Sequence, residues 1–180
     1  RFEHVHACNT SAAWRFPEMR YNMVRVGLGL YGLSPSEAVA SQAKGVHPAL
    51  TFSTRVTNLQ LLPAGESVGY ARAWFARRDA RIATIAAGYH DGFPRFMSQG
   101  GEVLVGGVRC PVVGNVCMDA AMVDVTAVGD VRIGDDVVLF GTQGSETITV
   151  DEIAQRGGTI SYEILASISP RVRRIFTHES

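Results

Sequence analysis

Lysine is almost missing from this sequence. Lys44 is the single one, so the other sixteen of the 17 basic side chains are arginine. Any chemistry that needs a lysine amine therefore has one candidate. An excess of either charge is missing as well: 17 basic residues face 17 acidic ones, for a formal net charge of zero. A nucleic-acid binder carries a clear basic surplus, so that class is excluded. No apolar run approaches the roughly 20 residues of a membrane-spanning helix. No secretory leader opens the chain, and its start at Arg1 reads as a cut or processed end. Cysteine is scarce and oddly spaced. Cys8, Cys110 and Cys117 form no CxxC pair, and no histidine stands at finger spacing, so no metal site is expected. They read as buried free thiols of a cytoplasmic protein.

What is present is a core. Hydrophobic residues make up 46% of 180, enough for one domain or a domain and a half. Residues 1–33 have an α/β texture. "HVHAC" reads as a short strand, "SAAWRFPE" as a short helix or turn closed by Pro17, and "MVRVGLGLYGL" as an apolar run broken by glycines. Residues 34–47 read as a polar linker.

From residue 48 onward the texture is β. "ALTFSTRVTNLQLL", "SVGYARAWFA", "ARIATIAAGY", "AMVDVT" and "DDVVLFG" read as strands, and "GEVLVGGVRCPVV" as a hairpin about Gly106-Gly107. Turn signals this frequent suit a barrel or sandwich. "TVDEIAQRGG" reads as a helix capped by Thr149 and stopped by Gly157. "TISYEILASI" reads as a second helix, with Pro170 beyond its end.

One stretch stands apart. The apolar run "ATIAAG" ends in Tyr89-His90-Asp91-Gly92-Phe93-Pro94-Arg95. A turn that crowds glycines, a proline and charges into so few positions serves a site more often than it serves packing.

"MVRVGLGLYGL", "SVGYARAW", "IATIAAGYHDGFPR", "VGNVCMD" and "TISYEILASISPRVRRIF" occur here in the order they take in the C-terminal half of alanine racemases. With "HACNTSAA" the resemblance spans essentially the whole chain. It implies a mainly β fold: the C-terminal β-barrel or sandwich domain over residues 48–180, with residues 1–47 a short α/β remnant of a pyridoxal-phosphate (PLP) binding (β/α)8 barrel. It implies a PLP-dependent isomerase that interconverts L- and D-alanine for cell-wall precursor supply. It also implies a homodimer in which each β domain completes its partner's active site.

The resemblance implies roles residue by residue. Tyr70 would be one of two bases, acting on the partner's cofactor. A free phenol titrates near about 10, so such a base needs cationic neighbours. Arg25 interrupts an apolar run, where a buried charge needs a partner, and it would bond the pyridine nitrogen of PLP. Thr10, Gly27, Leu28 and Tyr162 would hold the phosphate, Thr10 standing where serine is usual. Tyr89 would line the substrate entrance, with Asp91 and Arg95 holding its turn. Met118 would offer a backbone contact near the substrate carboxylate, with Asp119 supporting the loop. Three departures from the family pattern are Ala71, His90 (expected to face solvent) and Asn115, which replaces an arginine.

Lysine scarcity then matters. Lys44 lacks the flanking pattern of the family's cofactor-bearing lysine, so the 180-residue chain is expected to bind PLP weakly or not at all and to be inactive alone. Two other substrate or function classes were open at this level: a racemase of another amino acid such as serine, and a non-catalytic β module for dimerisation or binding. A cysteine hydrolase pairing Cys117 with His90 is disfavoured, because Asp91 adjoins His90 and suits no triad.

Overall fold

The computed structural model describes residues 1–43, 45–98 and 100–177. Lys44 therefore lies outside the described residues. The chain divides into two compact units, Arg1–Leu50 and Thr51–Ser180.

The first unit holds little regular structure. Helix α1 spans Thr10–Arg15. The Asn9 side chain caps it by accepting from the Ala12 N–H at 3.0 Å, which satisfies one of the donors a helix start leaves open. Single 3-10 turns cover Pro17–Met19 and Leu28–Tyr31, and a short α2 covers Glu37–Ala40. The strand expected from "HVHAC" is not formed, and the apolar run "MVRVGLGLYGL" holds a 3-10 turn and no strand. Among the described residues their only β pairing is one isolated parallel bridge, Asn9 to Arg25. A lone bridge offers no ladder to extend, and Phe2, Val5, Met23 and Val24 remain exposed.

The second unit is antiparallel β. Strands β1 (Phe52–Leu62), β4 (Ala80–Ile85), β5 (Glu102–Val105), β6 (Val108–Val113), β7 (Ala121–Asp124), β8 (Asp136–Gln143) and β9 (Glu146–Ile148) share one sheet. Its order is β1-β4-β7-β6-β5-β8-β9, and β1 also pairs with β8. That extra pairing closes six strands into a barrel, which leaves no open edge among them. Strand β1 makes closure possible because it serves two neighbours. Phe52–Arg55 pair with β8. Val56–Leu62 pair with β4, with a register shift between Val56 and Asn58. An irregularity of this kind bends a strand around a barrel corner. The Gly106-Gly107 turn joins β5 to β6 as a hairpin in which Val105 faces Val108.

The core takes whole strand stretches as well as alternating positions, since the consecutive Val103, Leu104 and Val105 are all buried. Val56, Ile82, Ile85, Val103, Leu104, Val105 and Leu139 are essentially inaccessible to solvent. Each side chain of this size contributes about 1.5–3 kcal/mol when fully buried. Helix α3 (Val150–Arg156) starts where expected. Thr149 accepts from the Glu152 N–H at 3.0 Å, and Ile153 sends its side chain into the core. Helix α4 spans Ser161–Ala166.

One expectation is corrected. "SVGYARAWFA" is not a continuous strand but a two-residue ribbon, β2 (Ser67–Val68) and β3 (Trp74–Phe75), around a loop. Gly69 at φ 81° breaks the extended run. A satellite cluster of Val68, Ala76, Ala80, Ile82 and Val113, with Leu62, Trp74 and Met122 against it, seats this ribbon on the barrel.

Candidate functional site

The β2–β3 loop is built to hold a conformation the chain does not favour. Ala71 and Arg72 stand in succession in the left-handed region, at φ 61° and 50°. A side-chain-bearing residue costs of order 1 kcal/mol or more there. Polar contacts offset part of that cost. The Arg72 Nε–H donates to the Ser67 Oγ at 2.9 Å, and its guanidinium lies 5.2 Å from the centre of the Phe75 ring. Asn115 donates from Nδ2 to the Tyr70 carbonyl at 3.0 Å. The residue so presented is Tyr70, 74% exposed.

The "GYHDGFPR" stretch follows β4 and forms a turn against residues 117–118. The Tyr89 N–H donates to the Cys117 carbonyl at 3.0 Å and the His90 N–H to the Met118 carbonyl at 2.9 Å. Gly88 is required by closeness. A Cβ at that position would stand 2.3 Å from the Cys117 oxygen, a backbone atom that cannot yield. Asp91, buried, ties the turn from inside. Its Oδ2 accepts from the Gly88 N–H at 2.9 Å, and its Oδ1 lies 2.8 Å from the Arg171 Nε. The Asp91 carbonyl also accepts from the Ser169 N–H at 3.1 Å. The charge on Asp91 is thus answered by Arg171 and not by Arg95, which is exposed. His90 faces solvent as expected. Tyr89 and Met118, now brought side by side through their backbones, are both exposed.

Two cavities flank these elements. One of 110 Å³ is lined by Tyr89, Gly92, Pro94, Phe96 and, from α4, Glu163, Ile164 and Ser167. Tyr162 is on the same helix and exposed. The other, of 480 Å³, lies between the ribbon residues Ala73 and Trp74 and the segment that includes Arg95, Phe96, Ser98 and Asn115.

The first unit carries the remaining candidates. Thr10 and Leu28 are buried. The Gly27 N–H donates to the Thr10 Oγ1 at 3.2 Å, so the free donor there is the threonine hydroxyl hydrogen. Space beside Gly27 is open, since a Cβ would meet nothing within 4 Å. A hydroxyl beside an uncrowded glycine fits a small anion such as a phosphate ester. Arg25 departs from expectation. It is exposed rather than buried, because no strand forms to bury it. Its Nη1 lies 2.6 Å from the His6 Nδ1.

The thiols also differ. Cys8 and Cys110 are buried, while Cys117 is only half-buried. Burial, with Asp124 and Glu102 nearby, pushes the Cys110 thiol up to about 11. Burial and then Asp119 raise that of Cys117. A raised thiol is a poor nucleophile, which weakens the hydrolase reading. Among the described residues no cluster of His, Cys, Asp and Glu could hold a metal ion. No described helix is long and apolar enough to cross a membrane. Arg171 and Asn115 are the contributors that sequence reasoning missed. Asn115 was visible as a departure from pattern, but nothing in the sequence announced its contact.

The chain thus joins a closed antiparallel barrel to a tyrosine-bearing ribbon and a second tyrosine turn, and this fold is that of an alanine racemase C-terminal domain. The model of the alanine racemase C-terminal domain matches residues 49–176, and that of the alanine racemase N-terminal domain matches residues 1–35. The chain belongs to the alanine racemase family. It is 46% identical over 175 residues to an alanine racemase of Symbiobacterium thermophilum, covering 97% of this chain and 46% of the relative. To that of Halothermothrix orenii it is 42% identical over 174 residues, covering 97% and 46%. The crystal structure of alanine racemase from Bacillus anthracis with bound L-Ala-P superimposes with a TM-score of 0.90 at 40% identity, over 97% of this chain and 45% of that one. The chain thus spans about half the length of the curated relatives it matches.

Proposed function

We propose that this chain forms the C-terminal half of an alanine racemase, with residues 1–47 closing a PLP-binding barrel and residues 48–180 forming the β domain. The observation that carries the proposal is Tyr70, held out at 74% exposure by a loop whose backbone is strained and clamped. A solvent-facing tyrosine that serves only packing has no use for such a loop.

In this reading the phenol of Tyr70 moves a proton at the α-carbon of alanine, in the site of a partner subunit. PLP, when bound, supplies an electron-withdrawing ring that stabilises negative charge on that carbon. Arg25 would donate to the pyridine nitrogen in place of the His6 Nδ1 it now meets, and its guanidinium would keep its own proton while doing so. The hydroxyls of Thr10 and Tyr162 and the backbone N–H of Leu28 would hold the phosphate, joined by the Gly27 N–H once it gives up its bond to the Thr10 Oγ1. Tyr89 lines the entrance and the Met118 backbone meets the substrate carboxylate. The enzyme is a cytoplasmic homodimer that supplies D-alanine for the cell wall. Alone, the chain is inactive, because its sole lysine, Lys44, sits in none of the family's lysine motif.

The test is complementation. This chain is mixed with PLP and the N-terminal portion of the Symbiobacterium thermophilum racemase that it does not cover, and D-alanine formation from L-alanine is followed. The chain alone forms none. The mixture forms D-alanine, and Tyr70→Phe lowers the rate by roughly 10²–10⁴-fold, the usual contribution of a positioned acid–base group. A cofactor-loaded complex that forms no D-alanine, or that works equally well with Phe at 70, overturns the proposal.

A further inference from the structure

We propose that Asn115 is a positioning residue for Tyr70, acting on its backbone. The inference rests on the reading of Tyr70 as a proton-transfer group. Among the described residues the Tyr70 phenol has no hydrogen-bond partner, and the side chain is 74% exposed. Nothing at the tip aims this side chain, so its direction is inherited from its own backbone.

That backbone is held on both sides of the strained pair Ala71–Arg72. Downstream, Arg72 is tied to Ser67. Upstream, the only side chain on the Tyr70 carbonyl among the described residues is Asn115, at 3.0 Å. The reach of Asn115 is fixed by a close approach of two main chains. A Cβ on Gly114 would stand 3.0 Å from the Val68 oxygen and 3.7 Å from the Gly69 Cα, and one on Gly69 would stand 3.5 Å from the Asn115 nitrogen. The β6–β7 connection therefore lies directly against the root of the ribbon. A short amide at 115 meets the Tyr70 carbonyl from there without a flexible stem, and its NH2 is the only end of that amide able to bond a carbonyl.

Removing the amide frees the peptide that precedes two left-handed residues. With that carbonyl free, the strained pair Ala71–Arg72 can relax toward an ordinary conformation. Relaxation would turn the Tyr70 side chain while leaving the barrel intact.

The experiment uses the full chain labelled with 3-fluorotyrosine, read by 19F NMR. Tyr70→Phe assigns the Tyr70 signal among the five tyrosines. Asn115→Ala is expected to shift or broaden the Tyr70 signal and leave those of Tyr89 and Tyr162 in place. Asn115→Asp sharpens the test, because a carboxylate cannot donate to a carbonyl and a carboxylic acid can. The Tyr70 signal of that variant should be perturbed at pH 7 and return toward its native position near pH 4. In the complemented racemase, Asn115→Ala should lower kcat about 10-fold and leave KM for alanine within about 2-fold, the pattern of an interaction realised at the transition state. An unmoved Tyr70 signal in both variants overturns the proposal. So does a signal that moves only together with those of Tyr89 and Tyr162. If Tyr70→Phe itself leaves activity unchanged, the proton-transfer reading fails, and the 19F result still decides whether Asn115 sets the orientation of Tyr70.

Discussion

Replacing Asp91 by alanine should cost far more than replacing it by asparagine. The carboxyl side chain is 10% exposed and serves two partners of different kinds, the Gly88 N–H and the Arg171 guanidinium. Alanine leaves the buried Gly88 N–H without an acceptor, which costs about 1–3 kcal/mol. It also removes the ion pair. Arg171 is half-exposed, so that pair is solvent-screened and contributes about 0.5–1 kcal/mol. The total is about 2–4 kcal/mol. Asparagine keeps an oxygen for Gly88 and loses only the charge, so Asp91→Asn should cost about 0.5–1 kcal/mol, whereas Arg171→Met strands the buried Asp91 carboxylate and should cost more than that. Urea unfolding followed by circular dichroism at 25 °C measures this. With a slope of about 2 kcal/mol/M, Asp91→Ala lowers the midpoint by about 1–2 M and Asp91→Asn by less than about 0.5 M. Equal losses for alanine and asparagine would refute the reasoning, because they would place the stabilisation in the ion pair and none of it in the backbone cap.

Arg109 sits among Glu102, Glu146 and Glu152, and hydrogen bonds from it hold the Glu152 carboxyl below its usual range, against the opposing effect of burial. A depressed carboxyl stabilises the fold above its unfolded pKa of about 4.3 and loses that effect as pH falls through the folded value. The melting temperature should therefore fall less steeply from pH 5 to pH 3 in Glu152→Gln than in the native chain, and parallel slopes would contradict this. Cys117, raised by burial and by Asp119, should react with iodoacetamide at pH 7.5 more slowly than free cysteine does; rapid stoichiometric alkylation would revive a nucleophilic role.

Much of the barrel was legible because its signals are local. The Gly-Gly hairpin, the strand runs of β1 and β4 and the Thr149 cap all depend on near neighbours, and all appear where the sequence puts them. Failures came where tertiary contact decides. "HVHAC" and "MVRVG" have strand composition, but with one bridge between them they form no ladder, and Arg25 is left exposed. "SVGYARAW" looked extended because Val68 and Trp74 do pair. The left-handed pair between them carries ordinary residues, Ala71 and Arg72, whose types give no warning. Strand β9 is three residues long, below what alternation can register. The part that Arg171 plays at Asp91 was not legible for a related reason. Arg95 is close in sequence, whereas Arg171 is close in space.

The Asp91–Arg171 contact also has a temporal side. The ribosome releases residues at about 5–20 per second, and Arg171 emerges about 80 residues after Asp91. For roughly 4–16 seconds the tyrosine turn exists without the arginine that completes it. Barrel closure waits in the same way, since β1 cannot meet β8 until residues 136–143 are made. Strand β1 must therefore stay unaggregated while its final neighbour is still being synthesised. A nascent chain stalled before residue 136 would carry β1 as a bare edge, open to pairing with any other strand in reach.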